Sequence, residues 1–344
     1  MTAAPSVLLV GNFLSGASRS RSVAEELKPR LERRGWTVVS ASSKRGRVAR
    51  LADMLATTWR FREAYGVAHV DVFSGRSFLW AELVCAELDR LRKPFVLTLR
   101  GGSLPGFAKR WPGRVRRLLA RARAVTSPSG YLREELARFR SDVEVLPNPV
   151  ELRDYEFRLR ANPTPNLLWL RSFHAIYNPA LAPQVLARLT DFPAARLTMV
   201  GADKDGSRLA TERVCAELGL SQRVEFVGVI AKESVPARLA RADVFLNTTD
   251  VDNTPVTLLE AMASGLCLVS TNVGGIPYLV SHRREAMLVP QRDPGAMAEA
   301  VREVLLNPEL AASLSRNGRR RAEESDWATV LPRWESLLAA ACRA

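Results

Sequence analysis

The stretch DNTPVTLLEAMASG, residues 252–265, puts one acid, Glu260, inside an otherwise apolar, helix-length run. Thr254 suits the N-cap and Pro255 the first helical position, while Gly265 suits the C-terminal cap. The positions sharing a face with Glu260 are Val256, Thr257, Ala263 and Ser264. A carboxylate on such a face is rarely buried without a partner. The run follows a strand-like VFLNT (244–248), which sets the helix N-terminus at that strand's C-terminal edge, where phosphates are attracted. Glu260 lies about a turn and a half further in, within reach of sugar hydroxyls. On spacing alone a solvated Glu260, or one paired with a nearby Arg, stands as the alternative. The next strand, CLVS (267–270), runs into TNVGGIP (271–277), and the Gly274–Gly275 pair makes a turn whose backbone amides can approach a ligand closely. Two consecutive strand ends thus deliver loops that favour an anion.

The elements that must hold these groups alternate along the chain. VLLVG (7–11), TVVS (37–40), AHVDVF (68–73), PFVLTL (94–99), AVTSPS (124–129) and VEVLPN (143–148) are short aliphatic runs bounded by breakers. Helix-length segments separate them, among them 19–34 and 77–91. A polar, Pro-rich stretch at 148–166 reads as a linker. A second series follows: LLWL (167–170), RLTMVG (196–201), VEFVG (224–228), VFLNT, CLVS and AMLVP (286–290). Two successive βαβ series predict an α/β protein of two parallel-sheet domains with helices on both faces. Ligands of such sheets bind beyond the carboxyl ends of the strands, so facing domains would hold a cleft there. The boundaries fall at 1–152 and 153–326, with a terminal amphipathic helix at 327–344 carrying Trp327 and Trp334.

Of the +14 net charge, residues 1–150 carry all: 27 Lys and Arg against 13 Asp and Glu, with 23 of each in the remainder. The first domain therefore calls for an anionic partner. AKRWPGRVRRLLARARA (108–124) and KRGRVARLADMLATTWRFREAYG (44–66) interleave bases with apolar residues, as a helix lying on anionic lipid does; solvated helix faces of an Arg-rich chain stand as the alternative. No nucleic-acid motif or aromatic platform accompanies them, so nucleic acid is not expected as a partner. Cys85, Cys215, Cys267 and Cys342 are far apart and form no CxxC pair, which predicts reduced thiols in a cytoplasmic protein. With only His69, His174 and His282, no protein-built metal site is expected. His174 reads as a loop residue and Cys267 as core. The N-terminus reads as a first strand and not a signal peptide, and no run reaches the length of a membrane span.

NTPVTLLEAMASGLCLVSTNVGGIPYLV (253–280) resembles the donor-site signature of the retaining glycosyltransferases of family 4, which have the GT-B fold. The resemblance extends to GNFLSGASRSRSVAEELKPRLERRGW, AVTSPSGYLREEL, VEVLPNPVEL, LLWLRSF and RVEFVGVIAKESVPARLARADVFLNTT, and so covers most of the chain. It implies two Rossmann-like domains facing across a cleft, with the terminal helix returning to the first. It implies a metal-independent transfer of a hexose-type sugar, with retention, from a nucleotide diphosphate donor, UDP- or GDP-linked, to a glycan or lipid-linked acceptor, and no further cofactor. The site would be cytoplasmic, at the inner face of the membrane where the acceptor is a lipid.

Carried over residue by residue, Glu260 would hold the ribose and Arg171 the pyrophosphate. The family's first glutamate, seven residues before the second, is Asn253 here. The Lys expected after the Arg is missing, with Ile176, Tyr177 and Asn178 in its region, and Lys204 in GADKDGS is a candidate substitute. Gly11, Ser15 and Gly16 would cover the phosphates, Thr254, Gly274 and Gly275 would complete the donor site, and Val229 and Ile230 would flank the base. On the acceptor side Arg100 replaces a His, with Gly101 and Gly102 retained. The departures at Asn253 and the missing Lys keep a second reading open, a GT-B protein that does not transfer: a nucleotide-sugar epimerase or a silent sugar-nucleotide binder.

Overall fold

The computed structural model describes residues 4–14 and 22–343. The chain divides into two compact units, Met1–Pro149 with Ala328–Ala344, and Val150–Trp327. Each is built on one parallel six-stranded sheet, as the two aliphatic series predict. The first has the order β2-β1-β3-β4-β5-β6, with β1 Ser6–Val10, β2 Thr37–Ala41, β3 Val67–Val72, β4 Phe95–Leu99, β5 Ala124–Ser127 and β6 Glu144–Val145. The second has the order β12-β11-β10-β7-β8-β9, with β7 Asn166–Leu170, β8 Arg196–Val200, β9 Val224–Gly228, β10 Val244–Asn247, β11 Cys267–Thr271 and β12 Ala286–Val289.

The central strands are aliphatic on both faces because helices cover both: Val7, Leu8 and Leu9 are fully buried, as are Cys267, Leu268 and Val269. Burial pushes the Cys267 thiol up to about 12, which makes it an inert core group. In the first unit the helix Val23–Arg33 starts at a capping box, in which Glu25 donates its amide to Ser22 Oγ and accepts from the Ser22 amide at 2.6 Å. The expected start of this helix, near residue 19, lies outside the described residues.

The terminal helix Trp327–Arg343 joins the first unit from Ala328 on. Trp334 packs edge-on against His69 with ring centroids 5.0 Å apart, Val330 and Leu338 are fully buried, and Arg333 donates to the Val145 carbonyl at 2.6 Å. In the second unit a buried Arg160 secures the linker. It donates to the carbonyls of Arg158 (2.6 Å), Ala242 (3.0 Å) and Ser264, and to Asp243 Oδ1 at 3.4 Å. Ser264 closes the helix that carries Glu260, so the linker fixes where that helix ends.

Candidate functional site

In the second unit the strands end along one edge, and the candidate donor residues follow those ends. Arg171 comes directly after β7. Its amide donates to the Val200 carbonyl at 3.0 Å, and a Cβ on Gly201 would lie 1.7 Å from the Arg171 carbonyl oxygen, so only glycine lets β7 and β8 close up there. The Arg171 guanidinium donates to Asp252 Oδ2 at 2.5 Å and to Thr257 Oγ1 at 3.4 Å, and lies 4.2 Å from the centre of the Tyr177 ring. Thr257 belongs to the first turn of the helix Val256–Ala263. A fixed guanidinium therefore stands beside a helix N-terminus, two sources of positive potential at one point.

That helix begins one residue later than expected. Pro255 is the N-cap, with φ −69° and ψ 122°, and Thr254 lies before it. Proline lacks an amide and fits the junction between extended and helical backbone. Asn253 and Thr254 are both buried. The Gly274–Gly275 turn is pressed onto the same segment. A Cβ would come within 2.1 Å of the Asp252 oxygen at Gly274 and within 1.9 Å of the Asn253 oxygen at Gly275. The Gly275 amide donates to the Asp252 carbonyl at 3.2 Å. The glycines are thus required by the approach of two loop backbones, and one of the two amides expected to face a ligand is spent on that contact.

Glu260 is buried, at 3% exposure, between fully buried Leu259 and Ala261. Its partner is Lys232, whose ammonium donates to Oε1. Neither a solvated Glu260 nor an arginine partner describes this arrangement. Lys232 opens the short 3-10 turn Lys232–Ser234 after β9, directly beyond Val229 and Ile230. Thr257 and Glu260 are three residues apart and share a helix face, so the Arg171 contact and the Lys232 contact lie one turn apart on that face.

The region that lacks the expected lysine is a second 3-10 turn, Ala175–Tyr177. His174 caps it, accepting from the Ile176 amide through Nδ1 at 3.2 Å, and stands 3.5 Å from Asp205. Thr248 Oγ1 donates to the Tyr177 carbonyl at 2.7 Å, which holds the ring that Arg171 lies on. Lys204 is exposed on the loop after β8. Its amide donates to the Phe173 carbonyl at 2.9 Å, and among the described residues no contact joins its side chain to Arg171 or Glu260. Val229 is exposed and Ile230 packs partly buried on the core beneath.

The first unit presents a separate polar cluster at its strand ends. Arg100, after β4, donates to Asp71 Oδ1 at 2.9 Å and to Asn148 Oδ1 at 2.7 Å. Gly11, after β1, lies against the same carboxylate; a Cβ there would be 2.9 Å from Asp71 Oδ2. His69 shares 2.8 Å with Thr98 Oγ1. Burial, opposed by Asp71 and aided by Arg100, lowers the His69 pKa to about 4. Gly101 turns the chain at φ +84°, and Gly102 follows half-buried. Ser15 and Gly16 lie outside the described residues.

Two family models match the chain. "Glycosyltransferase Family 4" covers residues 20–154 and "Glycosyl transferases group 1" covers 170–307, so between them they span most of it. The chain belongs to glycosyltransferase family 4. Among family 4 relatives, the GDP-mannose-dependent alpha-(1-6)-phosphatidylinositol monomannoside mannosyltransferase of Mycobacterium tuberculosis is 33% identical over 153 residues, 42% of this chain and 37% of that protein. The D-inositol 3-phosphate glycosyltransferase of Streptomyces avermitilis is 29% identical over 178 residues, 48% of this chain and 38% of that protein. The chain spans about two fifths of the length of these curated relatives. Among solved structures, sucrose-phosphate synthase from Thermosynechococcus elongatus superposes with a TM-score of 0.77 at 19% identity, covering 98% of both chains. Anabaena HepE in complex with UDP gives 0.77 at 16% identity, covering 98% of this chain and 100% of that one. At these identities the likeness is one of fold, and this family 4 chain has the GT-B fold.

Proposed function

We propose that the protein is a retaining glycosyltransferase. It moves a hexose-type sugar from a nucleotide diphosphate sugar to a hydroxyl of a glycan or lipid-linked acceptor. The observation that carries this is the single helix face on which Arg171 and the Lys232–Glu260 pair meet, one turn apart, at the carboxyl edge of the second sheet. Glu260 receives the ribose hydroxyls, and Arg171 with the helix N-terminus receives the diphosphate. The solved HepE structures hold UDP and UDP-glucose, and the mycobacterial relative is named for GDP-mannose, which supports a UDP- or GDP-linked donor.

In the transfer the bond from the anomeric carbon to the β-phosphate oxygen breaks, and negative charge grows on the diphosphate. Arg171 meets that charge at a fixed position, which favours the transition state over the bound donor. Charge stabilisation of this kind is supplied by the chain's own groups, and we read the reaction as metal-independent. The acceptor oxygen forms its bond on the face the diphosphate leaves, and its proton passes to a phosphate oxygen, so configuration is kept and no protein nucleophile is needed. Asn253, neutral where a glutamate would be charged, serves the transferred sugar as a hydrogen-bonding amide. The test is turnover of UDP- and GDP-hexoses with a hydroxyl acceptor in the presence of a chelator, with the product's anomeric configuration read by NMR. Transfer with inversion, or isomerisation of the donor without acceptor, would replace this reading with another.

The acceptor side is read as working at an anionic membrane face in the cytoplasm. No helix among the described residues is long and apolar enough to cross a membrane. Three helices of the first unit lie side by side, Arg47–Arg60, Arg76–Arg90 and Pro112–Arg121: Arg50 lies 5.4 Å from the Trp80 ring centre, and Arg114 donates to Glu82 at 2.9 Å. On and beside them Val48, Trp59, Phe61, Leu79, Leu83 and Trp111 are exposed, and so are Arg45, Arg47, Arg60, Arg76, Arg110 and Arg117. Exposed apolar residues interleaved with bases along such helices match an anionic lipid surface. Sedimentation with phosphatidylglycerol vesicles and not with neutral ones, weakened by salt and by Trp59→Ala with Trp111→Ala, is expected. Equal binding to both vesicle types would refute it.

A further inference from the structure

We infer that Lys232 is a positioning residue of the donor site, which engages Oε1 of Glu260 and leaves Oε2 directed to the ribose of a bound nucleotide. The inference rests on the donor-site reading above and adds a residue that is not among those carried over from the family resemblance. A carboxylate at 3% exposure on an aliphatic helix is costly to bury unless a countercharge accompanies it. Ribose hydroxyls donate hydrogen bonds but bring no positive charge, so they cannot take the lysine's place. Oε1 receives the Lys232 ammonium, and among the described residues no hydrogen bond reaches Oε2. One oxygen is therefore held by the protein and the other is left for a donor from outside.

The lysine's place in the chain fits this role. It follows β9, Val229 and Ile230, and its side chain is 36% exposed, so it reaches from the rim inwards to the acid. It reaches the donor helix from the loop after β9, two strands over from β7, which Arg171 follows. Two cations from different loops thus meet one helix face. Arg171 is tied to Asp252 and Thr257 near the helix start and Lys232 to Glu260 one turn on, so their tasks are separate: phosphate charge for one, carboxylate orientation for the other.

Binding of nucleoside diphosphates to the wild-type protein is measured first by calorimetry, with UDP, GDP, ADP and TDP as probes. The responding nucleotide is then compared with its 2′,3′-dideoxy form in Lys232→Met, Lys232→Arg, Glu260→Gln and the double variant Lys232→Met/Glu260→Gln. Lys232→Met is expected to weaken the ribonucleotide roughly tenfold, the scale of one hydrogen bond to a charged group. It should leave the weaker binding of the dideoxy form unchanged, and Lys232→Arg should restore most of the loss. In the Glu260→Gln background, removing the lysine should cost nothing further. Equal weakening of ribose and dideoxy ligands would overturn the inference and assign the lysine to phosphate or base. An unchanged Lys232→Met would overturn it as well. If no nucleotide binds the wild type, the donor-site reading itself fails and this inference falls with it, a result obtained before any variant is made. The melting temperature of each unliganded variant separates a folding defect from a binding one.

Discussion

Arg171 is held on three sides before any ligand arrives: by Asp252, by Thr257 and by the face of Tyr177. The guanidinium is preorganised, and Asp252 shares its charge until a diphosphate competes for it. Arg171→Met should therefore lower kcat by about a hundredfold, the scale of losing one preorganised charge contact, and change donor affinity far less. Arg171→Lys should recover only part of the rate, because an ammonium cannot reproduce the two-sided fork. A variant that loses affinity and keeps kcat would show that Arg171 binds the donor and does not act in the transfer.

At the scale of elements, the helix Val256–Ala263 is placed by contacts at both of its ends. The Gly274–Gly275 turn backs the loop before its N-terminus, and Arg160 takes the Ser264 carbonyl at its C-terminus. Gly275→Ala would drive a methyl group into the Asn253 carbonyl oxygen, and backbone on both sides prevents an easy adjustment. The second unit should lose at least about 2 kcal/mol, the upper range of overpacking, and donor binding should fall with it because Asn253 and Arg171's partner Asp252 must shift. Chemical denaturation and nucleotide titration on the same variant check both. A stable variant with normal affinity would mean that the loops separate without consequence for the site.

At the scale of the whole molecule, the buried His69 makes stability depend on pH. Its folded pKa is about 4, below the ordinary 6.5, so the unfolded chain binds a proton that the folded one refuses. Stability from this group is complete above pH 6.5 and is lost as pH falls towards 4, by up to about 3 kcal/mol. Asp243 acts lower. Burial raises its pKa, but hydrogen bonds from Thr164 and Arg158 outweigh that and hold it below the ordinary carboxylate range, so its contribution is lost only as pH falls below about 4. Urea unfolding at pH 7 and pH 5 should show a drop that His69→Gln flattens; an equal drop in that variant would assign it to other groups. The architecture was legible in the sequence because each strand is a short aliphatic run between breakers, and parallel strands buried on both faces produce that pattern. Glu260 stood out because its helix has no other charge. Lys232 did not, since a lone lysine after a strand looks the same whether it is solvated or paired. The bond between Arg171 and Asp252 joins residues 81 positions apart, and no local pattern announces it. The glycine pair was visible, but its reason, two carbonyls under 2.2 Å from the places of the absent side chains, exists only in three dimensions.

The proposed donor site has the second unit bind a nucleotide diphosphate sugar through Glu260. It is tested most directly by thermal denaturation of the wild type and Glu260→Ala against UDP, GDP, ADP and TDP and their hexose conjugates. Ligand at about 100 times its dissociation constant stabilises a fold by roughly 2.7 kcal/mol. A clear upward shift is expected with one base, in free and sugar-linked form, and it should disappear in Glu260→Ala. No shift with any of the nucleotides, or a shift the variant retains in full, would contradict it.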